Sequence, residues 1–111
     1  MSVFKLTRPI NVNGSPVNEL TYDLEGFSAQ DKINTGKECK KAGIMTTVQE
    51  LDSDYHMYLF ATAVVKSNPD MTIMDILRMS AKDATRAESV IRDFFFLNSE
   101  DTSPTSISIL Q

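Results

Sequence analysis

The sequence predicts a mostly helical α+β fold: a short N-terminal β-hairpin followed by about four α-helices in a single domain. Three observations carry that expectation. Residues 3–24 hold two runs of strand formers on either side of an Asn-Gly pair. Beyond Leu24 the apolar spacing changes from period two to a helical period. At four breaks in the pattern a Ser or Thr stands three residues ahead of an Asp or Glu, the spacing at which hydroxyl and carboxylate cap a helix start reciprocally. With 111 residues, 41% hydrophobic and 23% charged, the chain can bury one core without disulfides or a structural metal. The domain is expected over residues 1–98, with 99–111 a flexible tail.

"VFKLTR" (Val3 to Arg8) and "LTYDL" (Leu20 to Leu24) alternate roughly with period two. Between them Asn13-Gly14 can take the left-handed conformations of a tight hairpin turn, while Pro9 and Pro16 lack a backbone donor and limit pairing near them. The capping pairs are Ser28/Asp31, Thr47/Glu50, Thr72/Asp75 and Ser80/Asp83. The first helix, roughly Ser28 to Ala42, contains Gly36 and few large apolar residues, so it should be the least stable of the four and stop at Gly43. The second, about Asp52 to Ser67, is apolar on every side of its wheel through Tyr55, Met57, Tyr58, Leu59, Phe60, Val64 and Val65. Such a helix is central in a core or covered by another chain. Asn68-Pro69 should end it.

A short third helix is expected from Thr72 to Met79, and a fourth from Ser80 to about Leu97. On the fourth, Ala84, Ala87, Ile91, Phe94 and Phe95 form one stripe, flanked by Val90 and Leu97. Phe96 falls on the other side, among Thr85, Ser89 and Arg92, because three successive helical residues sweep about 200° and cannot all enter one core. It is therefore a candidate partner-binding residue. Met71, Met74 and Met79, around the third helix, are further candidates, since flexible thioethers adapt to varied apolar partners; filling core gaps is the competing role. In the serine- and threonine-rich tail, Ile107, Ile109 and Leu110 nearly alternate and could add a strand to a partner's sheet edge.

A net charge of −4 argues against non-specific nucleic-acid binding, and the lysines of "GKECKK" (Gly36 to Lys41) read as a solvated helix face. Met57 to Val65, an uncharged and mostly apolar run, is only half of a membrane span. Cys39 stands alone and no signal peptide opens the chain, so a cytoplasmic protein is expected. For catalysis the candidates are poor. The single histidine, His56, lies inside the apolar second helix, and Cys39, although beside Lys40, has no recognisable partner. Glu50, Asp52 and Asp54 lack the spacing of a calcium loop and suit a helix N-terminus. No glycine-rich phosphate loop or zinc-ligand spacing occurs, so no catalytic, cofactor or metal site is expected.

Two blocks of the chain resemble the tail assembly chaperones of long-tailed bacteriophages and prophages. The first is "FKLTRPINVNGSPVNELTY", with Leu6, Pro9, Ile10, Val12, Gly14, Val17, Glu19, Leu20 and Thr21 at the pattern positions. The second runs through Ala61 to Val65, Asn68-Pro69, Ile76-Leu77, Ser80 to Asp83 and Arg92 to Phe95. Residues 29–49 do not follow the family pattern. The resemblance implies a small, self-associating, non-catalytic protein in the host cytoplasm, absent from the mature virion. It would bind the tape measure protein, keep it soluble, and leave as the tail tube protein, a further candidate partner, polymerises. The competing expectations are a structural or connector protein retained in the virion, and a small enzyme built on Cys39, His56 or the carboxylates.

Overall fold

The computed structural model describes residues 1–45 and 52–96. Strand β1 (Ser2–Val12) turns directly into β2 (Ser15–Tyr22), and the two pair antiparallel. Asn13 at φ 53° and Gly14 at φ 84° supply the two left-handed residues that a two-residue hairpin needs. Pairing is not continuous. Lys5 faces Glu19 and Ile10 faces Val17, so Leu6 to Pro9 of β1 stand against Asn18 alone. The ladder therefore carries a large bulge, and Pro9, which could not donate to it anyway, lies inside. The buried alternation slips at the same place: Val17 and Leu20, three apart, both turn inward.

Helix α1 (Ala29–Lys41) is followed by α2 (Ser53–Ser67), α3 (Ile73–Ile76) and α4 (Ala81–Phe96). The Ser28/Asp31 and Thr72/Asp75 capping boxes form with both hydrogen bonds present. Asp52 caps α2 by accepting from the Tyr55 amide at 2.8 Å, which is the capping role expected of that acidic cluster. Thr47/Glu50 lies outside the described residues, as do Leu97 and the tail with Ile107, Ile109 and Leu110. Helix α1 ends where expected. Gly43 has φ 81°, its amide donates to the Lys40 carbonyl at 3.0 Å and the Ile44 amide to that of Cys39 at 2.9 Å, a complete Schellman closure.

The third helix is shorter than the expected Thr72 to Met79. After Ile76 the bonds tighten: Arg78 donates to Asp75 and Met79 to Ile76, each three residues back. The chain must unwind there because Ser80 serves as the cap of α4, its hydroxyl accepting from the Asp83 amide at 3.2 Å.

The core lies between the hairpin and the helices, with α2 at its centre. Eight residues of α2 are buried, and the helix touches α1, α3, α4 and β2, so its all-round apolarity is satisfied within the chain. Phe60 receives the hairpin: Phe4 meets it edge-on at 5.0 Å between ring centroids, and Tyr22 at 5.2 Å. Asn68 ends α2 and ties it to β2, its amide donating to the Thr21 carbonyl at 3.0 Å and to that of Val64 at 2.8 Å. Lys66 joins α2 to α1 through Asp31 at 2.6 Å. That ammonium, with the Ser28 amide, holds the Asp31 carboxyl below its ordinary pKa.

Asp83 corrects the fourth capping box. Its amide is capped by Ser80, but its carboxylate does not reach back; it turns into the bulge of β1. Oδ2 accepts from the amides of Thr7 at 3.0 Å and Arg8 at 3.3 Å, and Oδ1 from the Thr7 hydroxyl at 3.0 Å and from Arg86 at 2.7 Å. The same guanidinium donates to the Lys5 carbonyl at 2.9 Å and lies 4.5 Å from the Phe4 ring centre. Asp83 is 0% exposed. Burial pushes its carboxyl pKa up, and the hydrogen bonds from Thr7, Arg8 and Ser80 outweigh that and leave it below the ordinary value. A charge this buried is tolerated because donors surround it. The bulge frees backbone donors from the ladder, and Asp83 collects them.

Candidate functional site

Cys39 and His56, the two side chains with catalytic potential, are both buried. Cys39 is buried on the inner face of α1, where burial, and then the charges of Asp52, Asp54 and Glu38, push its thiol up to about 11. Lys40 therefore does not activate it. His56 is buried inside α2 with its ring 5.7 Å from that of Phe95. Among the described residues no group of three or more metal-ligating side chains could hold an ion. Nor is any helix among them long and apolar enough to cross a membrane.

The three phenylalanines at the end of α4 divide differently from the expected stripe. Phe95 packs on the core, its ring 6.5 Å from that of Tyr55 in a stacked arrangement, with the Lys32 ammonium over the ring, 5.1 Å from its centre. Phe94 is only half-buried and is not a core residue, which corrects its place on the stripe. The stripe holds at Ala87 and Ile91, but the last turn passes the end of α2's apolar surface and Phe94 turns toward a surface cleft. Phe96 is 39% exposed, on the outside as expected.

Phe94 stands where two clefts meet. One, about 530 Å³, lies between the chain leaving β2 and the last turns of α4, lined by Tyr22, Leu24, Val90 and Phe94 together with Met1, Asp23, Glu25 and Asp93. The other, about 210 Å³ and almost wholly apolar, is closed by Phe27, Leu59, Phe94 and Phe95 beside Lys32. A third cleft continues from the first past Tyr22 and Val90, between β1 and the Arg86–Ser89 turn of α4. Arg86, Val90 and Phe94 are one turn apart, so a trough follows α4 for about 12 Å. Sequence reasoning missed this feature because Tyr22 and Asp23 reach it from the hairpin. One local signal exists: Asp93 sits in a last helical turn with no basic residue, where the helix dipole disfavours a carboxylate.

The methionine candidates separate. Met79 is 7% exposed and belongs to the core, where the early end of α3 tucks it, so it presents no surface for a partner in this fold. Met71 is half-buried against the core. Met74, 66% exposed, is the one that projects into solvent. Comparison of the chain with protein-family models, with characterised proteins and with solved structures found no match.

Proposed function

We propose that the chain is a tail assembly chaperone of a long-tailed bacteriophage or prophage, a non-catalytic protein that binds the tape measure protein and keeps it in solution while the tail forms. The observation that carries this reading is the resemblance of the two sequence blocks to that family. The fold supports treating them as one signature: the Ser80-to-Asp83 start of the second block binds the Pro9 bulge of the first. Asn68 likewise binds Thr21, the last residue of Glu19-Leu20-Thr21. Residues more than 45 positions apart are thus matched as contacting pairs.

The physical demands of the role agree with what the surface offers. A tape measure protein is long and helical with an apolar face, so a chaperone needs apolar contact area on an otherwise polar body. The trough beside α4, Met74 and Phe96 supply such area on a chain of net charge −4. The reading places the protein in the host cytoplasm as a self-associating subunit, bound to the tape measure protein until tail tube subunits displace it.

Affinity capture of the chain from cells making tail proteins, paired with mass spectrometry of purified virions, tests the reading. It expects the tape measure protein in the captured fraction and the chain absent from virions. Recovery of the chain as a stoichiometric virion component would favour a structural or connector protein instead.

A further inference from the structure

We infer that residues 106–110, Ser106-Ile107-Ser108-Ile109-Leu110, add a third strand to the sheet of their own chain, along the open end of β1 and over the cleft between β1 and α4. Farther along, helix side chains close the outer edge of β1. Arg78 donates to the Asn11 carbonyl at 3.2 Å, Asp83 accepts from the Thr7 and Arg8 amides, and Arg86 donates to the Lys5 carbonyl at 2.9 Å. These bonds also fix the direction of the backbone groups. Lys5 and Thr7 turn theirs away from β2, so Val3, next in the alternation, does the same. Its pairing partner Thr21 agrees, because the Thr21 carbonyl faces away from β1 to meet Asn68. On that side no hydrogen bond joins the Val3 amide or carbonyl to a described residue, and the residue is 52% exposed. An edge left open in this way is a template for one more strand.

The cleft sets what can enter. Phe4, Tyr22 and Val90 line it on the buried face of the sheet, while Val3 and Lys5 alternate to the exposed face. A strand laid there buries one face and exposes the other, so it must alternate apolar with polar residues. Because α4 runs beside the edge and grips it from Lys5 to Arg8, the cleft of about 530 Å³ takes a single short extended segment and not the hairpin of another copy. Residues 106–110 have the required pattern. Ile107 and Ile109 enter the cleft toward Tyr22 and Val90, Ser106 and Ser108 face solvent, and Leu110 shares the outer face with Val3. The segment is also close at hand. Helix α4 ends at Phe96, six residues or about 9 Å past Val90, and the nine residues 97–105 can reach about 30 Å. That tether holds the segment at about millimolar effective concentration, above what a second copy attains in dilute solution. The tail therefore covers the apolar trough in the free chain, and a partner that uses the trough displaces it.

Amide hydrogen exchange and nuclear Overhauser spectra of the intact chain, compared with Ile107→Ser/Ile109→Ser, test the added strand. In the wild type the Val3 amide should exchange about tenfold more slowly than in the variant, as one added hydrogen bond requires. Cross-peaks should join the methyls of Ile107 or Ile109 to the Val90 side chain. Val3→Pro removes the donor at an edge position where proline is tolerated; it should abolish those cross-peaks while the α2 amides stay protected. All of these effects should survive dilution from about 500 to about 5 µM, since the tether sets the local concentration. A Val3 amide that exchanges equally fast in wild type and variant overturns the inference, as do cross-peaks to another surface or cross-peaks that persist in Val3→Pro. Effects that fade on dilution also overturn it and assign the edge to the tail of a second copy. The added strand does not depend on the chaperone role. Its failure in the exchange experiment leaves the capture of the tape measure protein standing, and failure of that capture leaves the strand in place.

Discussion

Replacing Asp83 with alanine should loosen the hairpin from the helices. The carboxylate accepts from the Thr7 amide and hydroxyl, the Arg8 amide and Arg86, and is itself 0% exposed. Removing it strands two backbone donors and a guanidinium at a part-buried site. A stranded buried donor costs about 1–3 kcal/mol, and the lower end applies where water can enter beside Thr7 and Arg8, so the sum is about 3 kcal/mol. At about 4–8 °C per kcal/mol for a domain of this size, the melting temperature should fall by about 12–24 °C. Asp83→Asn keeps the shape and one carbonyl but turns an NH2 group toward donors, and should cost about 2 kcal/mol.

The acid limb gives an independent check. The folded pKa of Asp83 is lowered, so its contribution is complete above the unfolded carboxylate value of about 3.9 and is lost as pH falls through the folded value. The stability gap between wild type and Asp83→Asn should therefore close on acidification. Urea and thermal melts measure the gap, and hydrogen exchange at Thr7 and Arg8 locates it. An Asp83→Ala protein within about 0.5 kcal/mol of wild type, or with unchanged exchange at those amides, would refute the reasoning.

Other perturbations test separate parts of the structure. Phe95→Asp should unfold the domain and Phe94→Asp should cost markedly less, because Phe95 is the ring stacked on Tyr55; denaturant melts that rank them the other way would restore the sequence-based stripe. Phe96→Asp should leave the melt unchanged and weaken self-association in sedimentation experiments, given its exposure at the end of α4. Cys39, buried with its thiol pushed up to about 11, should resist iodoacetamide near pH 8 until the protein is denatured; rapid labelling of the native chain would contradict its placement. Gly14→Ala should destabilise by roughly 1 kcal/mol, because φ 84° is costly for any residue with a Cβ, and thermal melts would show it.

What the sequence revealed and what it hid divide along the range of the interactions. The Asn13-Gly14 turn, three helix caps, the Gly43 stop and the burial of α2 were legible because each depends on residues within a few positions of one another. Asp83 looked like a local cap, yet its carboxylate accepts from the Thr7 and Arg8 amides, 76 and 75 residues away. A partial clue was present in Pro9, a residue unable to donate within a strand and so a marker for a bulge whose neighbouring amides need another acceptor. Met79 appeared equivalent to Met71 and Met74 by composition; the early end of α3 separated them. Phe94 and Phe95 share a helical stripe on an ideal wheel, but only a packed neighbour decides which one is covered. The trough is invisible to periodicity, since its walls come from β1, the end of β2 and α4.

The most direct measurement of the account is the solubility of a tape measure protein produced alone and with the wild-type chain. A chaperone reading predicts insoluble material alone and a soluble complex with the wild-type chain. A tape measure protein that partitions identically with and without the chain would contradict the proposed function.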